Sequence, residues 1–427
     1  MTQPHASRRG FLQTSAVAAG AAILPTTAVH AKGNDTLKVA LIGCGGRGTG
    51  AALNCLRADP SVKLTAACDI FDDRIEPSLS QLLAADGGKY KDRIDVPAER
   101  RFSGFDGYKQ AIDSGVDLVI LTTSPGFRPL HFAYAIDKDK HVFMEKPHAV
   151  DATGARAVIE TAKKAEQKKL AVCAGFTYRY DFGKRETVKR IHDGQIGDVL
   201  AIHTTFLTGE LWSRASKTND PKEMEYQMRM WYYFSWLSGD FIVEQAIHNI
   251  DKAAWVMNGA LPISASGMGG RQVRTDAKWG NIWDHFTVVY EYANGAKVFL
   301  QCRQTNNCQS LNIDHVIGSK GSAQLMKNEV EPAGGERWSY KGDLPNMYDV
   351  EHVELIQSIK AGKPMNDGVR SGLSTLMGIM GREAAYSGRK ITWKEMLESK
   401  QDLSPKAYAF GPNPVPAEAL PGKYKFV

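Results

Sequence analysis

The sequence of 427 residues lacks several features that would each define a class of function. Beyond residue 31 no run is apolar enough to hold the protein in a membrane. Basic residues form no stripe interleaved with aromatic side chains, and the net charge of +6 is mild, so we expect no nucleic-acid partner. No Cys-x-x-Cys pair or Cys/His cluster occurs, which argues against zinc or haem. Internal repeats are also absent.

Cysteine is scarce, with six residues in the chain. Cys44, Cys68 and Cys173 lie in or beside apolar, strand-like runs. A free cysteine in such a run behaves as a small buried apolar side chain. We therefore predict buried thiols, and the pattern assigns no disulfide pairing.

The N-terminus has the layout of a secretory signal. The pair Arg8-Arg9 precedes an apolar stretch at 16–24, which is too short for a bilayer crossing of about 20 residues. The segment 29–31 ends in a small residue suited to cleavage. Residues 7–12, SRRGFL, resemble the twin-arginine export motif, whose pathway moves folded proteins. We predict a signal peptide at 1–31 and a periplasmic or otherwise exported protein.

A glycine-rich turn follows the first strand-like run. The apolar run 37–42 leads directly into Gly43, Gly45 and Gly48, and a helical stretch at 49–57 comes next. In this strand–turn–helix context the motif predicts a dinucleotide site: one glycine allows the tight turn, one lets the backbone approach a pyrophosphate, and one lets helix pack on strand. The helix N-terminus supplies N–H donors to the phosphates.

The choice of coenzyme depends on the end of the second strand. The apolar run 62–68 ends at Asp69, which follows Gly48 by 21 residues. A carboxylate at this position accepts the ribose hydroxyls of NAD and repels the 2′-phosphate of NADP. Arg74 lies nearby and could soften that preference. NAD is therefore the expected cofactor, with NADP second.

Three further apolar runs indicate that the first half is a doubly wound parallel sheet. They lie at 117–123, 141–146 and 170–175, separated by helical patterns. Ligands of such sheets bind beyond the carboxyl ends of the strands. That rule brings three segments to one crevice, namely 122–125, 145–147 and 176–179.

The second half reads as an open, mainly antiparallel sheet. Two β-rich runs within 284–300 are joined at Asn294-Gly295, a strong hairpin signal. Further strand-like runs lie at 199–208, 263–267 and 311–317. We predict an α/β protein with a Rossmann domain at 32–176 and an α+β domain at 177–427, which includes C-terminal helices and a Pro-rich tail.

One helical stretch, 240–251, carries polar residues beside an apolar stripe. Glu244, His248 and Asp251 stand at i, i+4 and i+7, so they can converge on one point. The alternatives are a solvated face with a structural histidine, or a metal site, although we expect no bound metal. Just before it, the aromatic cluster 231–236 either offers Trp231 as a platform for a sugar or packs in a core.

The motifs together resemble a known family. Residues 43–48, Thr123-Ser124-Pro125 with His131 after them, and Glu145-Lys146-Pro147 resemble the Gfo/Idh/MocA oxidoreductases. The resemblance runs from about Leu37 to the end of the chain. It implies a Rossmann domain, then an open antiparallel sheet through which family members form homo-oligomers. The residues expected to bind the cofactor are Gly43, Gly45, Gly46, Arg47, Gly48, Asp69, Arg74, Thr123, Ser124, Pro125, His131, Glu145 and Lys146.

The resemblance also implies catalytic roles. Family members carry an Asp four residues before the His of this helix, paired with the Lys of Glu-Lys-Pro, whereas this chain has Glu244. His248 is the expected base, and Lys146 the expected donor to the reacting oxygen. Glu244 either shares in proton transfer or binds a substrate hydroxyl, and a cis Lys146–Pro147 bond is expected. The expected substrate-binding residues are Tyr178, Arg179, Trp231 and Asp251.

These observations predict an NAD-dependent oxidoreductase acting on a secondary hydroxyl of a sugar or glycoside. The periplasm is not expected to hold free NAD, so we expect the cofactor to be tightly bound and loaded before export. Two alternatives remain at this point. One is an NAD-dependent glycosidase in which transient oxidation allows elimination, and the other is a non-catalytic sugar-binding protein.

Overall fold

The computed structural model describes residues 36–213 and 219–427. The predicted signal peptide and its cleavage site lie outside the described residues. The first half forms a parallel sheet in the order β3-β2-β1-β4-β5-β6. Its strands are β1 (Leu37–Ile42), β2 (Val62–Asp69), β3 (Arg101–Ser103), β4 (Leu118–Leu121), β5 (His141–Met144) and β6 (Val172–Ala174). All its strand pairs are parallel, which confirms the predicted doubly wound sheet.

Helices connect these strands on both faces of the sheet. They are α1 (Gly46–Ala58), α2 (Ile75–Ala84), α3 (Gly107–Asp113), α4 (Arg128–Asp137) and α5 (Ala152–Gln167). The four central strands are almost wholly buried, as expected when helices cover both faces. Continuous apolar runs in the sequence therefore became the sheet interior.

The second half is built on a larger sheet that is antiparallel except at one pair. Its strands are β7 (Val199–Thr208), β8 (Ser264–Gly270), β9 (His285–Glu291), β10 (Lys297–Gln304), β11 (Leu311–Gly318), β12 (Gly321–Gln324), β13 (Glu329–Pro332), β14 (Trp338–Ser339) and β15 (Ile391–Thr392). The order is β14-β13-β12-β11-β7-β10-β9-β8-β15, and only β10 and β7 run parallel. The predicted hairpin joins β9 to β10, with Gly295 at φ 86° in the turn.

The helices of the second half are α6 (Phe182–His192), α7 (Met224–Arg229), α8 (Ser235–Ser238), α9 (Phe241–Glu244), α10 (Ile247–Val256), α11 (Met347–Lys360), α12 (Gly368–Ser387) and α13 (Trp393–Glu398). Of these, α6, α10 and α12 pack on the sheet, whereas α11 packs on the first half. Burial alternates along β9 and β10, so their inner residues join the core while the outer face stays open.

In the sequence, the two sheets lie on either side of the predicted boundary at residue 176. Helices from the C-terminal third of the chain nevertheless pack on the first half. Helix α11 packs against α1, and Leu355, Ile356 and Ile359 join the core of the first half. The buried helix α12 packs on α5 as well as on β8. Both halves therefore share helices from the C-terminal third of the chain.

The described cysteines follow the prediction of buried thiols with one exception. Cys44, Cys55, Cys68, Cys173 and Cys302 are free and buried, and Cys308 is free and exposed. None of the helices in the described part of the chain combines the length and hydropathy that a bilayer crossing requires.

Candidate active site

The glycine-rich turn has the geometry that its sequence requires. Gly43 has φ 103°, and an added Cβ would lie 2.7 Å from the backbone of Thr122 and Thr123. A Cβ on Gly48 would lie 1.9 Å from the carbonyl oxygen of Gly43. At Gly45, by contrast, a Cβ would meet no atom within 4 Å. The turn therefore packs tightly against β4 and leaves its other side open.

That open side can take an anionic group. Helix α1 begins after Gly45 and has no side-chain cap, so its first N–H groups are not used by a capping residue. A helix N-terminus with free donors attracts phosphate. These residues fit the pyrophosphate of NAD.

Asp69 ends β2 and lines the same crevice. Its carboxylate accepts hydrogen bonds from the backbone N–H groups of Cys44, at 2.7 Å, and Phe71, at 3.0 Å. Burial raises the pKa of the Asp69 carboxyl, and these two hydrogen bonds partly oppose the shift. The glycine turn and the carboxylate are thus tied together as one unit.

A cavity of about 770 Å³, counted with its open mouth, extends from this unit. Its lining includes Gly43, Gly45, Asp69, Arg74, Thr123, Ser124 and His131, which are residues predicted to bind the cofactor. Phe71 and Phe105 add an apolar wall suited to a purine ring. The shape and lining fit the adenosine part of NAD, and we call this space the nucleotide cavity.

The nucleotide cavity is partly covered by residues from the second half. The Arg229 guanidinium stacks 3.6 Å from the Phe71 ring centroid and pairs with Asp73 at 3.0 Å. From the tail, Phe410 contacts Phe105 with ring centroids 5.1 Å apart. Sequence reasoning did not find this cover, because nothing local links the tail to the nucleotide turn.

A second cavity of about 1100 Å³ adjoins the first and shares Thr122, Thr123 and Trp231 with it. It gathers seven of the remaining predicted residues, namely Arg47, Pro125, Glu145, Lys146, Tyr178, Glu244 and His248. We call it the substrate cavity. Trp231 partly faces it, whereas its neighbours Tyr232, Tyr233, Phe234 and Trp236 are buried in the core.

A break in the predicted helix 240–251 decides how Lys146 is held. The structure has two helices instead of one, because the N–H groups of Gln245 and Ala246 both donate to the carbonyl of Phe241. Such a widened turn is frequent at functional sites. The Glu244 carbonyl is left to accept from Lys146 Nζ at 2.6 Å, and the Glu244 carboxylate accepts from the same Nζ at 2.9 Å.

The longer side chain of Glu244 therefore reaches the lysine. Both side chains are only 13% exposed, so the pair is shielded from bulk water while one side faces the substrate cavity. The Lys146–Pro147 peptide is cis, as the resemblance implied.

His248 lies in the same cavity as this pair. Burial lowers the pKa of His248 well below its usual range, and the charges of Lys146 and Lys252 lower it further. Its ring stands edge-on to Tyr178, with centroids 5.4 Å apart. The imidazole is neutral near pH 7, and its buried Nδ1 has no hydrogen-bond partner among the described residues.

Arg179 and Asp251, both expected to bind substrate, pair with each other in the structure. Arg179 donates to both oxygens of the Asp251 carboxylate, at 2.7 and 3.0 Å, and Ser374 donates to it as well. This charge pairing lowers the pKa of Asp251 despite its burial. Neither residue is among those lining the two cavities. The pair links α10 to the segment that follows β6. Direct contact of either residue with substrate stays a prediction.

Two arginines organise the loops between the cavities. Buried Arg128 donates to the carbonyls of Thr123 and Glu145, which ties the ends of β4 and β5 together. Arg47, in the glycine turn, pairs with the Glu145 carboxylate and stacks 4.7 Å from Tyr348 of α11. Arg128 and Tyr348 carry no local motif, so the sequence did not indicate them.

Three more lining residues escaped sequence reasoning, namely Phe206, Gln245 and Asn312. Gln245 directly follows the predicted residue Glu244 in the sequence, and this adjacency was the signal that could have indicated it. Across the described ranges, 36–213 and 219–427, no group of three or more His, Cys, Asp or Glu side chains is arranged to hold a metal ion.

Comparison with known proteins agrees with this architecture. Residues 37–173 match the model of the oxidoreductase family with an NAD-binding Rossmann fold, and residues 185–324 match the GFO/IDH/MocA C-terminal domain. An inositol 2-dehydrogenase of Salmonella paratyphi B is 25% identical over 341 residues, 77% of this chain and 88% of its own.

Solved structures show the same fold. An aldose-aldose oxidoreductase from Caulobacter crescentus, complexed with glycerol, has a TM-score of 0.63 at 19% identity and covers 84% of this chain and 99% of its own. A scyllo-inositol dehydrogenase from Lactobacillus casei, with bound NAD(H) and scyllo-inositol, has a TM-score of 0.62 at 18% identity, with the same coverages. Since both halves match one family in sequence and in fold, the chain belongs to the Gfo/Idh/MocA family of NAD-binding oxidoreductases, which act on CH–OH groups.

Proposed function

We propose that the protein oxidises a secondary hydroxyl of a cyclic polyol or sugar. The observation that carries this proposal is the juxtaposition of Lys146, Glu244 and neutral His248 in a cavity that adjoins the nucleotide cavity. The names of the inositol- and aldose-oxidising relatives support the same substrate class. NAD, when bound, supplies the hydride acceptor.

The side chains divide the proton chemistry among them. Lys146, anchored by two hydrogen bonds to Glu244, has a remaining donor for the reacting oxygen and stabilises developing negative charge there. His248 takes the hydroxyl proton, because burial keeps it neutral. Glu244 fixes Lys146 and keeps a second carboxylate oxygen for a substrate hydroxyl. Gly45, Gly46 and Asp69 hold the cofactor in this proposal.

The glycosidase and the sugar-binding alternatives are favoured by no observation here. A direct experiment separates all three. The NAD-loaded protein is mixed with myo-inositol, D-glucose and aryl glycosides, and nicotinamide reduction and products are followed by absorbance and mass spectrometry. Reduction with a product two hydrogens lighter supports the dehydrogenase. Release of the aglycone without net redox change identifies a glycosidase, and unreacted ligand identifies a binding protein.

We also propose that the cofactor is tightly held. The tail supports this, since Gly411 and Asn413 are hydrogen-bonded to the segment around α7 while Phe410 packs on Phe105 beside the nucleotide cavity. Release of NAD would require these contacts to open. After gel filtration, NAD should remain bound to the wild type and exchange faster in Phe410→Ala. Phe182→Ala, at a similarly exposed phenylalanine on α6, is the control, and equal exchange rates would contradict the proposal.

We further propose export of the folded, loaded protein through the twin-arginine pathway. The support is the sequence of residues 7–12 and the need to carry NAD into a compartment without a free pool. Replacing Arg8 and Arg9 with Lys should retain the protein in the cytoplasm with NAD bound. Normal periplasmic levels of that variant would refute the pathway.

The open face of the second sheet supports a homo-oligomer. Met268, Phe299 and Ile317 are exposed there on β8, β10 and β11. Covering such side chains against a second copy would bury apolar area. Sedimentation of the wild type against Phe299→Asp tests this proposal, and an unchanged mass would contradict it.

A further inference from the structure

Gln245 lies in the turn that separates α9 from α10 and lines the substrate cavity beside Glu244. We infer that Gln245 is a specificity-determining residue, whose side-chain NH₂ donates a hydrogen bond to a substrate oxygen other than the reacting one. The inference rests on the proposed function for the identity of the substrate class. A buried chain of polar side chains behind the cavity fixes the orientation of the Gln245 amide.

The chain begins at Arg274, which is fully buried. Its guanidinium donates to the carbonyl of Trp283, at 2.8 Å, and to the side-chain oxygen of Gln304. Since a guanidinium has donors and no acceptor, the group of Gln304 that faces it must be the oxygen. The hydrogen bond from Arg274 therefore assigns which atom of the Gln304 amide is the oxygen and which is the nitrogen.

With its oxygen fixed, Gln304 must direct its NH₂ group the other way. That group donates to the Tyr232 hydroxyl, at 2.7 Å, and to the side-chain oxygen of Gln245. The Tyr232 hydroxyl lies 3.4 Å from the same Gln245 oxygen and donates to it. Burial raises the pKa of Tyr232 well above its usual range, so the hydroxyl keeps its proton.

The Gln245 oxygen thus receives two hydrogen bonds, which occupy both of its acceptor positions. Its NH₂ end is left for the cavity, and no described residue accepts a hydrogen bond from it. Because Arg274, Gln304 and Tyr232 are all at most 1% exposed, water cannot easily replace their contacts. Inverting the Gln245 amide would set donor against donor, so the buried chain holds Gln245 as a donor.

A fixed donor selects for a substrate group that accepts. A substrate hydroxyl, ring oxygen or carbonyl at this position accepts the hydrogen bond from Gln245. A substrate with only a hydrogen there leaves the Gln245 donor unpaired, and a substrate ammonium places a second donor against it. A neutral hydrogen bond of this kind changes affinity roughly tenfold. Gln304 is a positioning residue here, since it acts through Gln245 and lines neither cavity.

Two substitutions test the inference with the NAD-loaded protein. Gln245→Glu keeps the size and keeps an oxygen for Gln304 and Tyr232, but presents an acceptor to the cavity. Gln304→Glu leaves every cavity residue in place, yet its carboxylate requires Gln245 to turn its NH₂ inward. The probes are myo-inositol and D-glucose, each with its monodeoxy and monoamino analogues, and kcat/KM is measured for each.

With the wild type, one of the monodeoxy analogues should have a kcat/KM about tenfold lower than that of its parent compound. Both variants should lose that sensitivity and gain preference for the amino analogue at the same position. If Gln245 had a merely structural role, the substitutions would lower kcat/KM for all the substrates by the same factor. Melting curves and the NAD content of each variant show whether it is folded. Gln245→Leu, which should lose the sensitivity without the amino preference, replaces Gln245→Glu if that variant does not fold.

Unchanged ratios in Gln245→Glu or Gln245→Leu, with an active wild type, overturn the inference alone. Unchanged ratios in Gln304→Glu overturn the positioning chain. A wild type that neither binds nor oxidises any parent compound overturns the proposed function and the inference that rests on it.

Discussion

The nucleotide cavity takes most of its lining from residues 42–131, whereas the substrate cavity collects side chains from residues as far apart as Arg47 and Tyr348. In the first, backbone shape dominates, because Gly43 and Gly48 allow a close approach between β1, α1 and β4. In the second, paired side chains dominate, because Lys146 and Gln245 are each oriented by partners from distant strands and helices. The nucleotide end therefore depends on steric fit, and the substrate end depends on hydrogen-bond direction.

The largest effect should come from removing the polar groups of the substrate end. Lys146→Met and His248→Asn should each lower turnover about 10²–10⁴-fold, because positioned acid–base help is lost. Both should still bind NAD, since the nucleotide cavity is intact. Turnover and bound NAD are measured on the same samples. His192→Asn, at an exposed position on α6, is the control. Lost folding instead of lost rate would return His248 to a structural role.

A steric change in the glycine turn should weaken NAD binding, in contrast to the substitutions above, which should lower turnover and leave NAD bound. In Gly48→Ala the new Cβ would lie 1.9 Å from the Gly43 carbonyl, so the turn must distort. NAD affinity should fall by at least about a hundredfold, equivalent to about 3 kcal/mol. Gly50→Ala on the same helix meets only Arg47 at 3.5 Å and is the matched control. Equal NAD affinity in calorimetry for both variants would contradict the steric account.

The buried His352 on α11, whose ring lies 4.2 Å from that of Phe143, offers a stability test of the packing between α11 and β5. Burial lowers the pKa of His352 to about 3, and both ring nitrogens lack hydrogen-bond partners. Below pH 6.5 the unfolded chain takes up a proton that the folded chain refuses, so stability is present above that pH and falls as pH decreases. Between pH 8 and 5 the histidine should cost about 2 kcal/mol.

His352→Leu should remove that share of the pH dependence. Urea unfolding of wild type and variant at pH 8 and pH 5 measures it, with His192→Leu, at an exposed position on α6, as control. If wild type and His352→Leu lose the same stability between the two pH values, His352 is protonated in the folded protein.

The smallest effect concerns coenzyme choice. Asp69→Asn keeps an oxygen for the N–H of Cys44 and removes the charge that would repel a 2′-phosphate. The ratio of NADP to NAD affinity should rise about tenfold, as expected for loss of one charged interaction. Arg74→Ala should shift the ratio the other way. Competitive titration of both coenzymes measures the ratios, and no change in Asp69→Asn would remove the carboxylate from coenzyme selection.

The sequence by itself determined the elements whose signal is local. The strands β1, β2 and β7, the glycine turn, Asp69 and the β9–β10 hairpin all follow from apolar runs and turn residues within a few positions of one another. Such patterns are readable because burial and backbone conformation are set by neighbours in the chain. The parallel sheet then brought 122–125 and 145–147 together by a general rule of topology.

The tertiary structure alone decided which polar groups face each other. Helical spacing predicted that Glu244, His248 and Asp251 converge; Glu244 and His248 do line the substrate cavity, whereas Asp251 pairs with Arg179 outside that lining. The return of α11, the tail beside the nucleotide cavity and the chain from Arg274 to Gln245 likewise join residues far apart in sequence. Buried polar groups must find partners wherever packing supplies them, and packing is a property of the whole fold.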